Sequence, residues 1–274
     1  MMLKAGTLIV ALIAVLAIVG PSIAPTDPSA QHLALRLEGP TLAHPFGLDE
    51  LGRDVFARIL VGARISFLVG IVVVGVSSVV GTLLGAIAGY FGGWIDDVIS
   101  RVTDTLMAFP GLLLAIALVA VLGPSLTNAL FALTVIGWVG FARLVRGQVL
   151  RAREFEYVQA ARALGATTPR LLLRHVVPST MPAIMVQATL GMAGAVISEA
   201  ALSFLGLGVQ PPTPSWGTML SGGRVHLLDA PHLTVFPGLA IALLVLGFNF
   251  LGDGLRDLTD PRQQRAARSD GAQA

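Results

Sequence analysis

Long apolar stretches of this sequence without Asp, Glu, Lys or Arg cover residues 5–26, 65–95, 105–142, 175–198 and 230–252. Runs of this kind exclude most water-soluble folds, whose helices and strands alternate apolar with polar positions on a period of 3.6 or 2. About 20 apolar residues cross a bilayer as one helix, so each run holds at least one span. The run 105–142 is too long for one, and Gly123-Pro124-Ser125 divides it in two. The expectation is an all-α integral membrane protein with six transmembrane helices. Composition agrees, since only 12% of residues are charged against about 25% in a soluble domain.

The net charge is +2, an excess of two that gives no reason to expect a nucleic-acid partner; arginines flanking spans that contact membrane lipid account for it. There are no cysteines, which removes disulfides, thiolate metal sites and cysteine nucleophiles.

The expected layout is an N-terminal helix over 1–24, an extracytoplasmic segment over 25–65, a core over 66–256 and a tail over 257–274. Lys4 followed by apolar Gly6 to Val19 fits either a signal peptide or a retained first helix; the run before Asp27 is long enough to span, and the retained helix is the reading taken. In the next segment Asp49 or Asp54 can cap a helix. Phe56, Ile59 and Leu60 share a helical face, as an interfacial helix leading into the second span would. That span, about Ser66 to Tyr90, carries Gly81, Gly85 and Gly89 on one face, where another backbone can approach closely. A polar link with Asp96, Asp97, Arg101 and Asp104 precedes a third span over Thr105 to Leu122, and a fourth covers Leu126 to Leu144.

Arginine distribution sets the expected orientation. Arg143, Arg146, Arg151, Arg153, Arg162, Arg170 and Arg174 follow the fourth span, and Arg256, Arg262, Arg265 and Arg268 follow the sixth; between the fifth and sixth there are only Arg224 and Asp229. The positive-inside bias then puts the 147–180 loop and both termini in the cytoplasm.

Within that loop, Glu156 to Pro178 reads as helix, turn, helix. Glu154 to Leu164 is rich in helix formers, Gly165 suits the left-handed residue ending a helix, and Thr168-Pro169 starts a second helix. Such a hairpin beside the membrane can fit a groove in a partner. No catalytic residue is expected in this chain. A phosphate-binding P-loop needs a lysine after its last glycine, and the only lysine is Lys4. The five histidines, at 32, 44, 175, 226 and 232, show no metal-site spacing, and no G-x-S-x-G elbow is present. An intramembrane hydrolase and a scaffolding membrane protein are the alternatives from other classes.

The segment Gln159-Ala160-Ala161, then Gly165, then Val177-Pro178 resembles the EAA loop of ABC importer permeases. Gln159 replaces the motif's glutamate, His175 its isoleucine and Val177 its leucine. HPFGLDELGRDVFARILVGARISF, SEAALSFLGLGVQPPTPSWGTML and PGLAIALLVLGFNFLGDGLRDLTDPR are similar to the dipeptide/oligopeptide/nickel permease subfamily, second-subunit type. The resemblance implies a type I ABC importer permease core of five helices plus one N-terminal helix. It implies a second permease subunit forming a heterodimer, two ATP-binding subunits that carry ATP and Mg, and an extracytoplasmic solute-binding protein. It further implies that Gln159, Ala160, Ala161, Arg162, Leu164, Gly165 and Pro178 form the ATPase-coupling loop. Peptides are the expected cargo, with nickel or another small solute as the alternative; the chain itself is expected to hold no cofactor and no metal.

Two further features are singled out. Glu199 is the one acid within the fifth apolar segment, where an ionisable side chain is costly and a candidate for function; pathway contact and an ion pair with Arg64 are both open. The stiff outer loop carrying Pro212, Pro214 and Trp216 is the candidate docking surface for the binding protein.

Overall fold

Asp54 starts the longest helix of the molecule. Its Oδ1 accepts a hydrogen bond from the Ala57 amide at 2.8 Å, filling one of the four donors that a helix start leaves open. In the computed structural model, which describes residues 2–259, ten α-helices follow in order: α1 (Met2–Ile23), α2 (Val55–Phe91), α3 (Gly93–Met107), α4 (Gly111–Leu122), α5 (Leu126–Ala152), α6 (Glu156–Ala163), α7 (Thr168–Leu171), α8 (Val177–Phe204), α9 (Trp216–Gly223) and α10 (His232–Thr259). Among the described residues there is no strand, only an isolated bridge between Leu48 and Asp54. Arg262, Arg265 and Arg268, expected in a cytoplasmic tail, lie outside the described residues.

The second span is longer than its apolar run. At 1.5 Å per residue the 37 residues of α2 extend about 55 Å, well beyond a hydrocarbon core of about 30 Å. The helix begins at Val55 and not at Ser66, so the expected interfacial helix is the first turns of α2 itself. Residues 25–54 fold back over its start. Arg53 Nε donates to Asp49 Oδ2 at 2.7 Å, His44 Nδ1 lies 2.7 Å from Asp54 Oδ2, and Arg58 Nη1 donates to the Pro28 carbonyl at 3.0 Å.

The third span differs from expectation. It is a bent pair, α3 and α4, whose axes meet at 86°. Pro110 lacks an amide hydrogen and drives Phe109 out of helical geometry, so the chain breaks there. The polar link is part of amphipathic α3, in which Thr103 is the one buried residue. The 12 residues of α4 cover about 18 Å, too little to cross alone. Five helices are long and apolar enough to span, α7 and α8 counting together over Thr168–Phe204, with the bent pair as a sixth.

α2 and α5 form the central pair. A Cβ on Gly81 would strike Phe141 Cβ and the Trp138 carbonyl, and one on Gly85 would strike the Ala142 carbonyl; the glycine stripe therefore has α5 as its partner. α8 packs across both, and α10 lies between α8 and α1. α1 seats on α10 through close approaches at Gly6, Gly247 and Gly254.

Candidate functional site

The hairpin is held by one apolar edge. Val158, Leu171 and Val176 are buried with Ala152 in a single hydrophobic cluster, while Gln159, Ala160, Arg162 and Leu164 are exposed. Leu164 is an apolar side chain 89% exposed at the tip. Glu156 in the first turn of α6 and Arg162 in the last complement the helix dipole.

Gly165 ends α6 in the left-handed region, φ +84°. The Ala166 amide donates to the Ala161 carbonyl at 3.1 Å and the Gly165 amide to the Arg162 carbonyl at 3.0 Å, the paired bonds of a Schellman turn. Open space surrounds the Cβ position, so backbone conformation is what selects glycine here. The next cap is Thr167, one residue earlier than expected, with Pro169 in the first turn of α7, where a missing amide hydrogen costs nothing. From there Leu172–Val176 widen to a π turn and lead directly into α8. Pro178 is exposed on the first turn of α8. The hairpin's second arm and a membrane-spanning helix are thus one continuous rod.

Three arginines tie this region to α2 and α3. Arg162 Nη2 donates to the Tyr90 hydroxyl at 3.3 Å, and its guanidinium carbon lies 5.6 Å from the ring centroid. Arg153 Nη1 donates to the Gly89 carbonyl at 3.2 Å, one of the acceptors left open at the end of α2. Arg146 grips Asp96 bidentately, Nε to Oδ1 and Nη2 to Oδ2, the latter at 2.7 Å, the strongest geometry for such a pair. Sequence reasoning gives Tyr90, Arg153 and Asp96 no role in a site, although Tyr90 ends a span opposite an arginine-rich loop.

A cleft of about 240 Å³ opens between α2, α4, α5 and α8. Gln187, Gly191, Gly194 and Ser198 line one wall, and Ser77, Gly137 and Phe141 line the other. The α8 residues recur at spacings of four, three and four, one face of a helix, so a small-and-polar stripe in an apolar span announces this wall. Ser77 Oγ is buried with no hydrogen-bond partner among the described residues.

Glu199 is not part of that cleft, whose wall at this level is Ser198. It is fully buried, and Oε1 accepts from Ser203 Oγ at 2.6 Å. Ser203 Oγ in turn accepts from the Val209 amide at 3.2 Å. The ion pair with Arg64 does not form: Arg64 is exposed and makes no salt bridge with Glu199. A serine one turn along the same helix reaches the carboxylate more directly than an arginine on another.

The proline-rich loop before α9 also differs from expectation. Pro212 is exposed, but Pro214 and Trp216 are buried. Trp216 Nε1 donates to the Ile59 carbonyl at 3.1 Å, and its ring lies against Gly62 of α2. The indole is an anchor for α9, so within residues 211–216 only Pro211, Pro212 and Thr213 are exposed.

The comparisons with known proteins bear on all of this. Residues 81–265 match the family described as binding-protein-dependent transport system inner membrane component. The chain is 47% identical over 259 residues to the dipeptide transport system permease protein DppC of Alkalihalophilus pseudofirmus, covering 94% of this chain and 85% of that one. It is 49% identical over 262 residues to the glutathione transport system permease protein GsiD of Escherichia coli, covering 95% and 86%. A chain from inward-facing structures of the MetNI methionine ABC transporter superposes with a TM-score of 0.60 at 19% identity, over 74% of this chain and 96% of that one, a likeness of fold. With the family matched across the hairpin, α10 and the cleft walls of α4, α5 and α8, the chain belongs to the binding-protein-dependent transport system inner membrane components.

Proposed function

We propose that this chain is one permease half of an ATP-driven ABC importer that carries peptides across the cell membrane. Two relatives of nearly equal identity are named for dipeptide and for glutathione, and short peptides are the cargo class common to both. The observation that carries the reading is the hairpin: anchored on one edge by Val158 and presenting Gln159, Ala160, Arg162 and Leu164 on the other. Phe155, Tyr157, Leu164 and Leu173 are all exposed on the hairpin, and apolar surface of this extent supports a contact with a partner.

The partners are a second permease subunit, two ATPase subunits that bind ATP and Mg²⁺, and a solute-binding protein on the outer face. Both termini and the hairpin face the cytoplasm in this reading, which the arginine distribution supports. ATP has leverage only if it biases two global arrangements differently. Closure of the ATPases would push the hairpins, and each hairpin would move as a rigid body with α8, because π turn and span are continuous with its second arm. The cleft wall of Gln187, Gly191, Gly194 and Ser198 rides on α8 and would open to alternate sides. Its neutral amide and hydroxyl groups can exchange hydrogen bonds with a passing peptide backbone without trapping a charge.

Ala160→Asp tests the proposal, since Ala160 is exposed and its side chain supports no packing. Insertion into the membrane should be unchanged, whereas co-purification of the ATPase and uptake of a labelled dipeptide should both be lost. Retention of both would overturn the coupling assignment.

A further inference from the structure

A cavity of about 420 Å³ lies between α1, α2 and α10 on the flank of the molecule away from the cleft. Leu12 and Leu16 form one wall, Ile59 and Ala63 the second, Ala240 and Leu243 the third. Phe46 closes one end, stacked on Phe236 at 4.1 Å between ring centroids and edge-on to Phe56 at 5.0 Å. The single polar group nearby, Trp216 Nε1, is occupied by the Ile59 carbonyl. Nothing in the lining is left to hydrogen-bond a ligand, so peptides, metal ions and ordered water have no foothold there.

The cavity has a defined depth. Its α10 residues run from Phe236 to Leu243 in a helix starting at His232, about 6 to 17 Å along the axis at 1.5 Å per residue. One leaflet of a hydrocarbon core is about 15 Å deep. The α2 residues lie in that helix's first turns, at the same end of the bundle as segment 25–54. For scale, an engineered apolar cavity of about 150 Å³ already binds benzene.

We propose that this cavity holds one acyl chain of a membrane phospholipid, drawn from the leaflet adjoining segment 25–54. The chain fills the gap between α1 and the α2–α10 wall, making the lipid part of the surface on which α1 seats. The ligand class is saturated or singly unsaturated hydrocarbon, recognised by shape and depth alone.

The full chain, purified with the subunits that accompany it, can be placed in phosphatidylethanolamine–phosphatidylglycerol vesicles containing a phospholipid with a mid-chain diazirine. After illumination, adducts are mapped by mass spectrometry. Adducts are expected on Ile13, Ala63 and Trp216, residues at most 8% exposed and reachable by lipid only from inside the cavity. Ala240→Ile and Ala240→Phe fill the space in two steps and should reduce those adducts severalfold in that order. Labelling of outward Leu8, Val15 and Ile18 should stay constant in both variants and thereby report correct insertion. Should the larger variant fail to insert, the smaller one still reads the decline. Adducts confined to the outward residues would overturn the proposal, as would cavity adducts that persist unchanged in both variants.

Discussion

The guanidinium of Arg162, on the exposed face of the hairpin, lies 5.6 Å from the ring centroid of Tyr90 and donates to its hydroxyl at 3.3 Å. The two residues join the first arm of the hairpin to the end of α2, as π turn and α8 join the second arm to the bundle. A push on the hairpin therefore reaches two spans, by a rigid rod on one side and a side-chain tether on the other.

That tether should matter more for transport than for stability. An exposed cation–π contact contributes about 0.5–1 kcal/mol, so Arg162→Ala and Tyr90→Ala should shift the melting temperature little. Each should lower dipeptide uptake severalfold while ATP hydrolysis continues, raising the ATP consumed per peptide. Tyr90→Phe keeps the ring and should retain most of the coupling. The ratio of hydrolysis to uptake in reconstituted vesicles decides it; an unchanged ratio in both alanine variants would remove the tether from the mechanism.

The glycine stripe gives a paired prediction about packing. A Cβ at Gly85 would press on the Ala142 carbonyl and meet the Arg146 amide at 3.0 Å, whereas at Gly75 nothing lies within 4 Å. Overpacking a tight interface costs about 1–3 kcal/mol, while replacing glycine in an open helix position gains up to about 1 kcal/mol. Gly85→Ala should thus lower thermal stability in detergent and Gly75→Ala should leave it level or raise it. Thermal shifts followed by fluorescent size-exclusion chromatography would measure both.

For Glu199 the chemistry of the neighbour sets the expectation. Glutamine retains an oxygen that can accept from Ser203 Oγ, so Glu199→Gln should express, melt and transport much as wild type does. Glu199→Leu removes that acceptor while Ser203 and the Val209 amide stay buried, at a cost of about 1–3 kcal/mol. Loss of uptake in the glutamine variant at normal expression would instead assign the carboxylate a direct part in transport.

How far the sequence reveals these relationships depends on their range. The spans follow from charge-free runs, and the end of α6 from Gly165, because hydropathy and left-handed backbone preference are local. The bend between α3 and α4 was harder to read: Asp96, Asp97, Arg101 and Asp104 look like a loop in one dimension, yet they lie on a helix, with Asp97 and Arg101 exposed and Asp96 held by Arg146. Partner choice is the least legible. Arg64 is the plausible mate for Glu199 in a list of charges, but Ser203 is a turn away on the same helix. Trp216 follows a proline-rich loop and still faces inward, since Ile59, 157 positions away in the chain, offers it a carbonyl. Such long-range contacts leave no periodic trace.

The inward turn of Trp216 changes where a binding protein should be sought. Photo-crosslinking residues placed singly at Pro212, Thr213 and Trp216 should divide sharply. Positions 212 and 213 are exposed and should capture the solute-binding protein in intact cells. Position 216 is 2% exposed and should capture only neighbouring parts of its own chain, α2 above all. Trp216→Ala should also cost stability, because the indole fills the space against Gly62 and its Nε1 bond is lost; removing a buried tryptophan costs about 3–5 kcal/mol. A thermal-shift assay on the same samples separates that loss from any effect on docking. Capture at 216 but not at 213 would mean that α9 turns outward in the working transporter, and the docking surface would then be the whole of residues 211–216.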